Sequence, residues 1–204
     1  MLDALLLDTI LPFTGEIDRL SAGIDVIDIG CGSGHAVNLM ARAFPQSRFT
    51  GLDFEDEAIA VARAEAQAWA LSNATFAVCD VAGEVKPAAY DLVTAFDTIH
   101  DQARPDQVLA NAATALRPGG TFLMGDMDAS SHVENNLGLP WASFLYAVST
   151  VHCMSVSLAQ GGAGLGAVWG VELAERMIRD AGFTSVEQHR IDANPLSVYM
   201  VAKR

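Results

Sequence analysis

Val26-Ile27-Asp28-Ile29-Gly30-Cys31-Gly32-Ser33-Gly34 is the stretch whose reading decides the fold. A short apolar run, residues 24–29, opens directly onto glycines, and helical spacing follows over 36–44 and stops at Pro45. A glycine loop placed between a strand and a helix lets backbone approach a ligand closely at a helix N-terminus. The glycines fall as GxGxG. A dinucleotide fingerprint needs its third glycine at position 35, where His35 stands, so the pyrophosphate reading weakens. The spacing predicts loop amides aimed at a carboxylate instead.

Outward from the loop, strand-like and helix-like segments alternate. Strands are predicted over 48–52, 74–79, 90–95 and 121–125. Helices are predicted over 55–71, with acids in the first turn as the helix dipole prefers, and over 105–116, with proline in the first turn. Pro118-Gly119-Gly120 reads as a stop and turn. A further helix, 171–181, has Gly182 at its C-terminal cap position. The runs 184–190 and 197–202 then alternate without a helix between them and predict an antiparallel edge hairpin turning at Asn194-Pro195. Such alternation means βαβ units, a parallel sheet and right-handed crossovers.

Residues 126–170 break the pattern, because most connections are about 4–6 residues long. Their middle, 141–158, reads as helical; their end, Gln160-Gly161-Gly162-Ala163-Gly164-Leu165-Gly166, reads as flexible or tightly turned. A lid-like segment after strand five, 129–168, is expected within one domain spanning 1–204. The uncharged stretch 137–158 is broken by Gly138, Pro140, serines and His152, so burial or lid formation is expected, with a membrane-facing role as the alternative.

Composition excludes several classes. The chain has 204 residues, 51% hydrophobic and 18% charged, which rules out disorder. The net charge of −13 repels phosphate backbones and anionic lipid heads, so neither nucleic acid nor a membrane is expected as partner. Cys31, Cys79 and Cys153 lie far apart, without CxxC spacing, so neither a disulfide framework nor a zinc site is expected. No His–acid spacing such as HExxH occurs, and no metal is expected. Met1-Leu2-Asp3-Ala4 lacks a basic leader region, which points to a reducing cytoplasm.

Two acids follow the loop at strand ends. Asp53 ends the second strand, where an acid can accept two bonds from a ribose diol or cap the helix that follows. Asp80, beside Val81, ends the third, where a short acid can accept from an adenine amino group or close a turn. The run 28–34, Asp53, Asp80, Tyr90-Asp91-Leu92-Val93 and Leu116-Arg117-Pro118-Gly119-Gly120 together resemble the class I S-adenosylmethionine (SAM)-dependent methyltransferases, over about 24–203. Phe96-Asp97-Thr98-Ile99-His100-Asp101-Gln102 and His152-Cys153-Met154-Ser155-Val156-Ser157-Leu158-Ala159-Gln160-Gly161-Gly162 look like a bacterial subgroup whose methyltransferase domain follows an N-terminal winged-helix-like domain. Only 23 residues precede the first strand here, so the chain reads as a catalytic half or a stand-alone form.

The resemblance implies a Rossmann-like αβα sandwich with strand order 3-2-1-4-5-7-6 and strand seven antiparallel. It implies SAM as cofactor and S-adenosylhomocysteine (SAH) as product, with contacts at Asp28, Gly30, Cys31, Gly32, Gly34, Asp53, Phe54, Asp80, Val81, Phe96 and Asp97. Catalytic candidates are His152, His100 and Tyr146, each weighed against a packing role. A small-molecule acceptor is expected, with a homodimer through 129–168 as a possible assembly. An NAD-dependent oxidoreductase and a non-catalytic SAM-binding sensor are the rival readings.

Overall fold

In the computed structural model, which describes residues 5–204, the apolar run before the glycine loop is β1, Asp25–Ile29. It lies third in a seven-stranded sheet ordered β3-β2-β1-β4-β5-β7-β6. The other strands are β2 Arg48–Asp53, β3 Ala74–Val78, β4 Tyr90–Phe96, β5 Leu116–Met127, β6 Ser185–Ile191 and β7 Asn194–Lys203. Strands one to five pair in parallel, and β7 runs antiparallel to both β5 and β6. The hairpin is the one the alternating runs near the C-terminus predict, and the order is the one the family resemblance implies. Met1 to Ala4, read above for a leader, lie outside the described residues.

Burial on both faces of the sheet explains the near-continuous apolar strands. On one face Ile27, Val93, Phe122 and Met200 pack against helices α4, Pro105–Ala115, and α7, Val171–Asp180. On the other, Val26, Phe49, Leu92 and Val201 pack against α2, His35–Ala43, and α3, Asp56–Ala68. Leu6, Ile10 and Leu11 of the N-terminal turns and Leu20 of α1, Ile17–Ala22, close that side. Successive residues of β5, Phe122, Leu123 and Met124, alternate between the two cores, as the period of a strand requires.

Two local expectations are corrected. The hairpin turns at Asp192-Ala193, and Asn194 already pairs with Ile191. Pro195 sits in the register shift between that pair and Arg190–Val198, a position where a proline is tolerated. Leu116 pairs with Tyr90 and Thr121 with Leu92, so β5 begins at Leu116 and the predicted turn, 118–120, falls in an irregularity within it. Arg117 anchors it by ion pairs to Asp91 and, at 2.9 Å, to Asp25. The helix expected over 141–158 is present: α5, Val133–Asn136, ends before Gly138 and Pro140, and α6, Ala142–Ala159, runs on through the serines and His152, with a π-turn at Ser149–Cys153. It is the one helix among the described residues long and apolar enough to cross a membrane, although its inner face carries His152 and Gln160.

The glycine run after α6 is tightly packed. A Cβ on Gly162 would lie 2.4 Å from Ala103 Cα, and one on Gly166 would lie 2.2 Å from Ser149 Oγ. Ala163 N–H donates to Ala103 O and Gly166 N–H to His100 O. Of the two readings left open for this run, tight turning is the one found, because small residues permit the close approach.

Gly34 tests the entry into α2. It has φ +70°, and a Cβ there would stand 2.5 Å from both Ala62 Cβ and the Phe76 ring. Gly34→Ala is expected to cost about 2–4 kcal/mol, from left-handed backbone plus overpacking. A denaturant midpoint within error of the parent's would show that the helix entry adjusts freely.

Candidate functional site

The carboxyl ends of β1, β2 and β4, with the segments that follow β3 and β4, open onto a cleft of about 630 Å³, within the range for small-molecule sites. Gly30 and Gly32 form one wall, Asp53, Phe54, Asp80 and Val81 the next, and Asp97 and Thr98 the floor. His152, Val156 and Gln160 reach it from one face of α6, at successive i, i+4 positions.

The glycine loop is shaped by contacts on its inner side. Gly30 has φ +65°, and a Cβ on it would fall 2.0 Å from Thr98 Oγ1. Gly32, at φ +52°, would meet no protein atom within 4 Å, so its outer side is open. Cys31 N–H donates to Leu52 O, Gly32 N–H to Asp53 Oδ2 at 2.8 Å, and Gly34 N–H to Cys31 O. These three amides are therefore engaged within the protein, contrary to the expectation that the loop amides face a ligand carboxylate. What the loop offers is close approach and the acids around it.

Asp53 accepts from Gly32 N–H on one oxygen and from Glu55 N–H, at 3.0 Å, on the other. Each oxygen keeps a second lone pair, so the carboxylate is held in place and still able to accept a diol. The helix that follows starts at Asp56 with Glu55 as N-cap and no side-chain cap bond, so Asp53 shapes the turn before the helix and does not cap it. Asp80 accepts from Ala82 N–H at 2.9 Å and pairs with Arg104 at 2.9 Å across the cleft rim. The turn-closing role of Asp80 is real, and its second oxygen is the one that Arg104 engages.

Other expected site residues lie behind the walls. Asp28 is buried beneath the loop, where Thr94 Oγ1 donates to it at 2.5 Å. Burial, with Asp53 nearby, pushes its carboxyl up to about 7. Cys31 turns its sulfur towards Gly51, and burial holds its thiol far above the usual range, which makes it inert. Gly34 packs on Ala62 and Phe76. Phe96 lines a neighbouring cavity rather than the cleft. Tyr146 is turned away from the cleft, its hydroxyl accepting from Asn136 Nδ2 at 3.0 Å. Six residues separate it from His152, too far out of phase to share a face.

His100 is also behind the cleft wall, 3% exposed. Its Nδ1 lies 2.7 Å from Asp126 Oδ1, and its Nε2 lies 3.4 Å from Asp101. Burial alone would lower the imidazole, but Asp126, helped by Asp101 and Asp97, outweighs it and holds it up at about 9. The adjacent Asp101 is thus not the principal partner. Asp126, on β5, is, and only strand pairing brings it there. His100, Asp101 and Cys153 also place a nitrogen, an oxygen and a sulfur within 4.8 Å of one another, a grouping no sequence spacing announces. Val156, Gln160 and Arg104 are cleft residues missed in sequence. The i, i+4 spacing from His152 and the position of Arg104 before Pro105 were the signals available.

A doubly wound sheet with an open glycine turn, an acid closing β2 and a second acid after β3 defines the SAM-binding methyltransferase class. The chain belongs to the methyltransferase-domain family, whose model matches residues 20–182. It is similar to "Ubiquinone biosynthesis O-methyltransferase" of Burkholderia pseudomallei, 28% identical over 176 residues, covering 86% of this chain and 71% of that protein. The protein of the same name from Shewanella halifaxensis is 29% identical over 140 residues, 66% of this chain and 58% of its own. An O-methyltransferase family protein of known structure from Burkholderia thailandensis superposes with a TM-score of 0.70 at 20% identity, over 99% of this chain and 58% of that one. The chain thus spans about 58% of the length of some of the proteins it matches.

The buried imidazole gives a stability test. A histidine raised from 6.5 to about 9 contributes stability that is fully present below pH 6.5 and lost as pH rises through 9. Melting temperature is expected to fall across that window, by a free energy on the order of 3 kcal/mol at most. His100→Asn should start less stable and lose that slope. An equal slope in both proteins would remove His100 as its source.

Proposed function

We propose that the protein transfers the methyl group of SAM to a small-molecule acceptor. The observation that carries this reading is Asp53, clamped by the Gly32 and Glu55 amides with its free lone pairs on the cleft. The residues present fit the cofactor: open backbone at Gly32, a fixed ribose acceptor, and Phe54 and Val81 as apolar cover on either side of Asp80. Bound there, SAM supplies an activated methyl group on a sulfonium. The chain's own work is alignment and exclusion of water. Asp28 braces the loop from below through Thr94, and Thr98 fills the space against Gly30.

The segment 129–168 acts in this reading as a cover. His152, Val156 and Gln160 roof the cleft, while Phe144, Val151 and Leu158 face out at 62%, 76% and 53% exposed. That outward stripe supports contact with a second copy of the chain. The anchoring of Ser157 Oγ to Gln102 O, at 2.9 Å, fixes the C-terminal end of α6, so opening would come from its N-terminal half. A roofed cleft and a charge of −13 favour a small acceptor over nucleic acid. Three free thiols favour a reducing, cytoplasmic compartment.

Two measurements test the reading. SAH at a hundred times its dissociation constant should add about 2.7 kcal/mol and raise the melting temperature by several degrees, whereas NAD should not. Tight NAD binding without SAH binding would overturn it. Asp53→Ala should weaken SAH by about 2–4 kcal/mol, the loss of charged acceptors to two hydroxyls. Unchanged affinity by calorimetry would leave Asp53 as a loop clamp alone.

A further inference from the structure

The amino-terminal end of the sheet, opposite the cleft, carries a second cavity of about 520 Å³. The chain runs from β3 to β4 through 79–89 without a helix, so one face of β2 and β3 has no helix over it. Phe49 and Phe76 turn to the other face and pack with α2 and α3. Arg48, Thr50 and Thr75 alternate with them along the strands and turn to the open face. Thr50 and Thr75 stand opposite each other in the ladder, their Oγ1 atoms 3.4 Å apart, and form part of the cavity floor. Ser72, Asn73 and Tyr90 add further polar groups, and Phe49, Ala88 and Ala89 complete the uncharged wall.

The charge of this cavity is the reverse of the chain's. Three cations line it, Arg48, Lys86 and Arg117, against one carboxylate, Asp25. Asp25 accepts from Arg48 Nε on one oxygen, at 2.7 Å, and from Arg117 Nη2 on the other, at 2.9 Å. One carboxylate thus fixes two guanidiniums, and both keep donors in reserve. The terminal nitrogens of Arg48 and the Nε of Arg117 make no hydrogen bond among the described residues. Behind the wall, Asp91 pairs with Arg117 and Arg19, and Glu16, the other partner of Arg19, is shared with Lys203. Lys86, exposed on the loop before β4, has no ion pair among the described residues. The field of the whole chain is screened over about 8 Å at physiological salt, so a ligand inside the cavity answers to these walls.

We propose that this cavity is a second ligand site, separate from the cleft, and that it takes a small molecule bearing a phosphate monoester. At neutral pH that group carries about two negative charges and three strong acceptor oxygens. Three cations against one carboxylate match the charge, and the reserve N–H groups of Arg48 and Arg117 match the acceptors. A guanidinium presents a planar fork that fits phosphate oxygens, and the Lys86 ammonium adds a compact charge from the facing loop. The cations surround one concavity and do not form a track, which favours a small molecule over a polyanion. An occupant in contact with all three ties the loop before β4 to the starts of β2 and β5.

The test uses the full chain, with glycerol 3-phosphate as probe and malate, a dicarboxylate of similar charge, as comparison. Calorimetry at physiological salt measures each alone and then with SAH in excess. The parent should bind glycerol 3-phosphate at least fivefold more tightly than malate, and equally well with SAH present. Lys86→Glu and Arg48→Gln should each weaken the phosphate at least tenfold. Both should keep SAH affinity within twofold and a denaturant midpoint close to the parent's. Arg179→Glu, which makes the same change of charge as Lys86→Glu on the exposed side of α7, should bind the phosphate as the parent does. No phosphate binding by the parent, or parental affinity in Lys86→Glu, would overturn the site. Loss of the phosphate on adding SAH would put the probe in the cleft, and an equal loss in Arg179→Glu would trace it to overall charge; either overturns the proposal. Equal affinity for malate would overturn the phosphate assignment.

Discussion

The reversal from β1 into α2 leaves no room for a side chain. At Gly30 the backbone is left-handed, and the place a Cβ would take is filled by the Thr98 hydroxyl. That contact locks the first crossover to the exit of β4, so two strand ends adjacent in space, far apart in sequence, form one edge of the cleft. Gly34 does the same on the far side of the loop, against α3 and β3. The loop's conformation is thus set by packing from within, and its open side is what remains for a ligand.

Acidic groups dominate the ground beneath the cleft, and each is managed differently. Asp53 is satisfied by two amides and stays where the loop needs it. Asp28 is buried with one hydroxyl donor, and its carboxyl rises accordingly. Asp126 holds the buried imidazole of His100 in its charged form. That cation compensates a cluster which would otherwise repel itself. An anionic chain that gathers several carboxylates at one end of a sheet gains proton chemistry there at the expense of stability at higher pH.

The α6 side of the cleft is built on a different principle. Its helix is apolar on both sides, with histidine and glutamine the polar side chains it sends to the cleft. The glycines after it serve close packing against Ala103 and Ser149, not slack. The C-terminal end of that helix is tied to the turn after β4, where Ser157 Oγ donates to Gln102 O.

Periodicity and punctuation in the chain determined the parallel sheet and the terminal hairpin, while the strand order followed from the family resemblance. Alternation of apolar runs with helical spacing is a local property, and parallel crossovers have one favoured hand. The same holds for Gly30, Gly32, Asp53 and Asp80, because strand ends mark where ligands meet such a sheet. Three assignments depended on folding. The turn of the hairpin was decided by β7 pairing back as far as Asn194, which no dipeptide rule anticipates. The partner of His100 was decided by the β4–β5 pairing, which sets Asp126 beside it and makes its neighbour Asp101 secondary. The cleft face of α6 was decided by where that helix docks, which brings in His152 and turns Tyr146 towards Asn136. Local sequence sets which groups can end a strand or face a helix stripe. Which of them meet across elements depends on distances that exist only once the layers have packed.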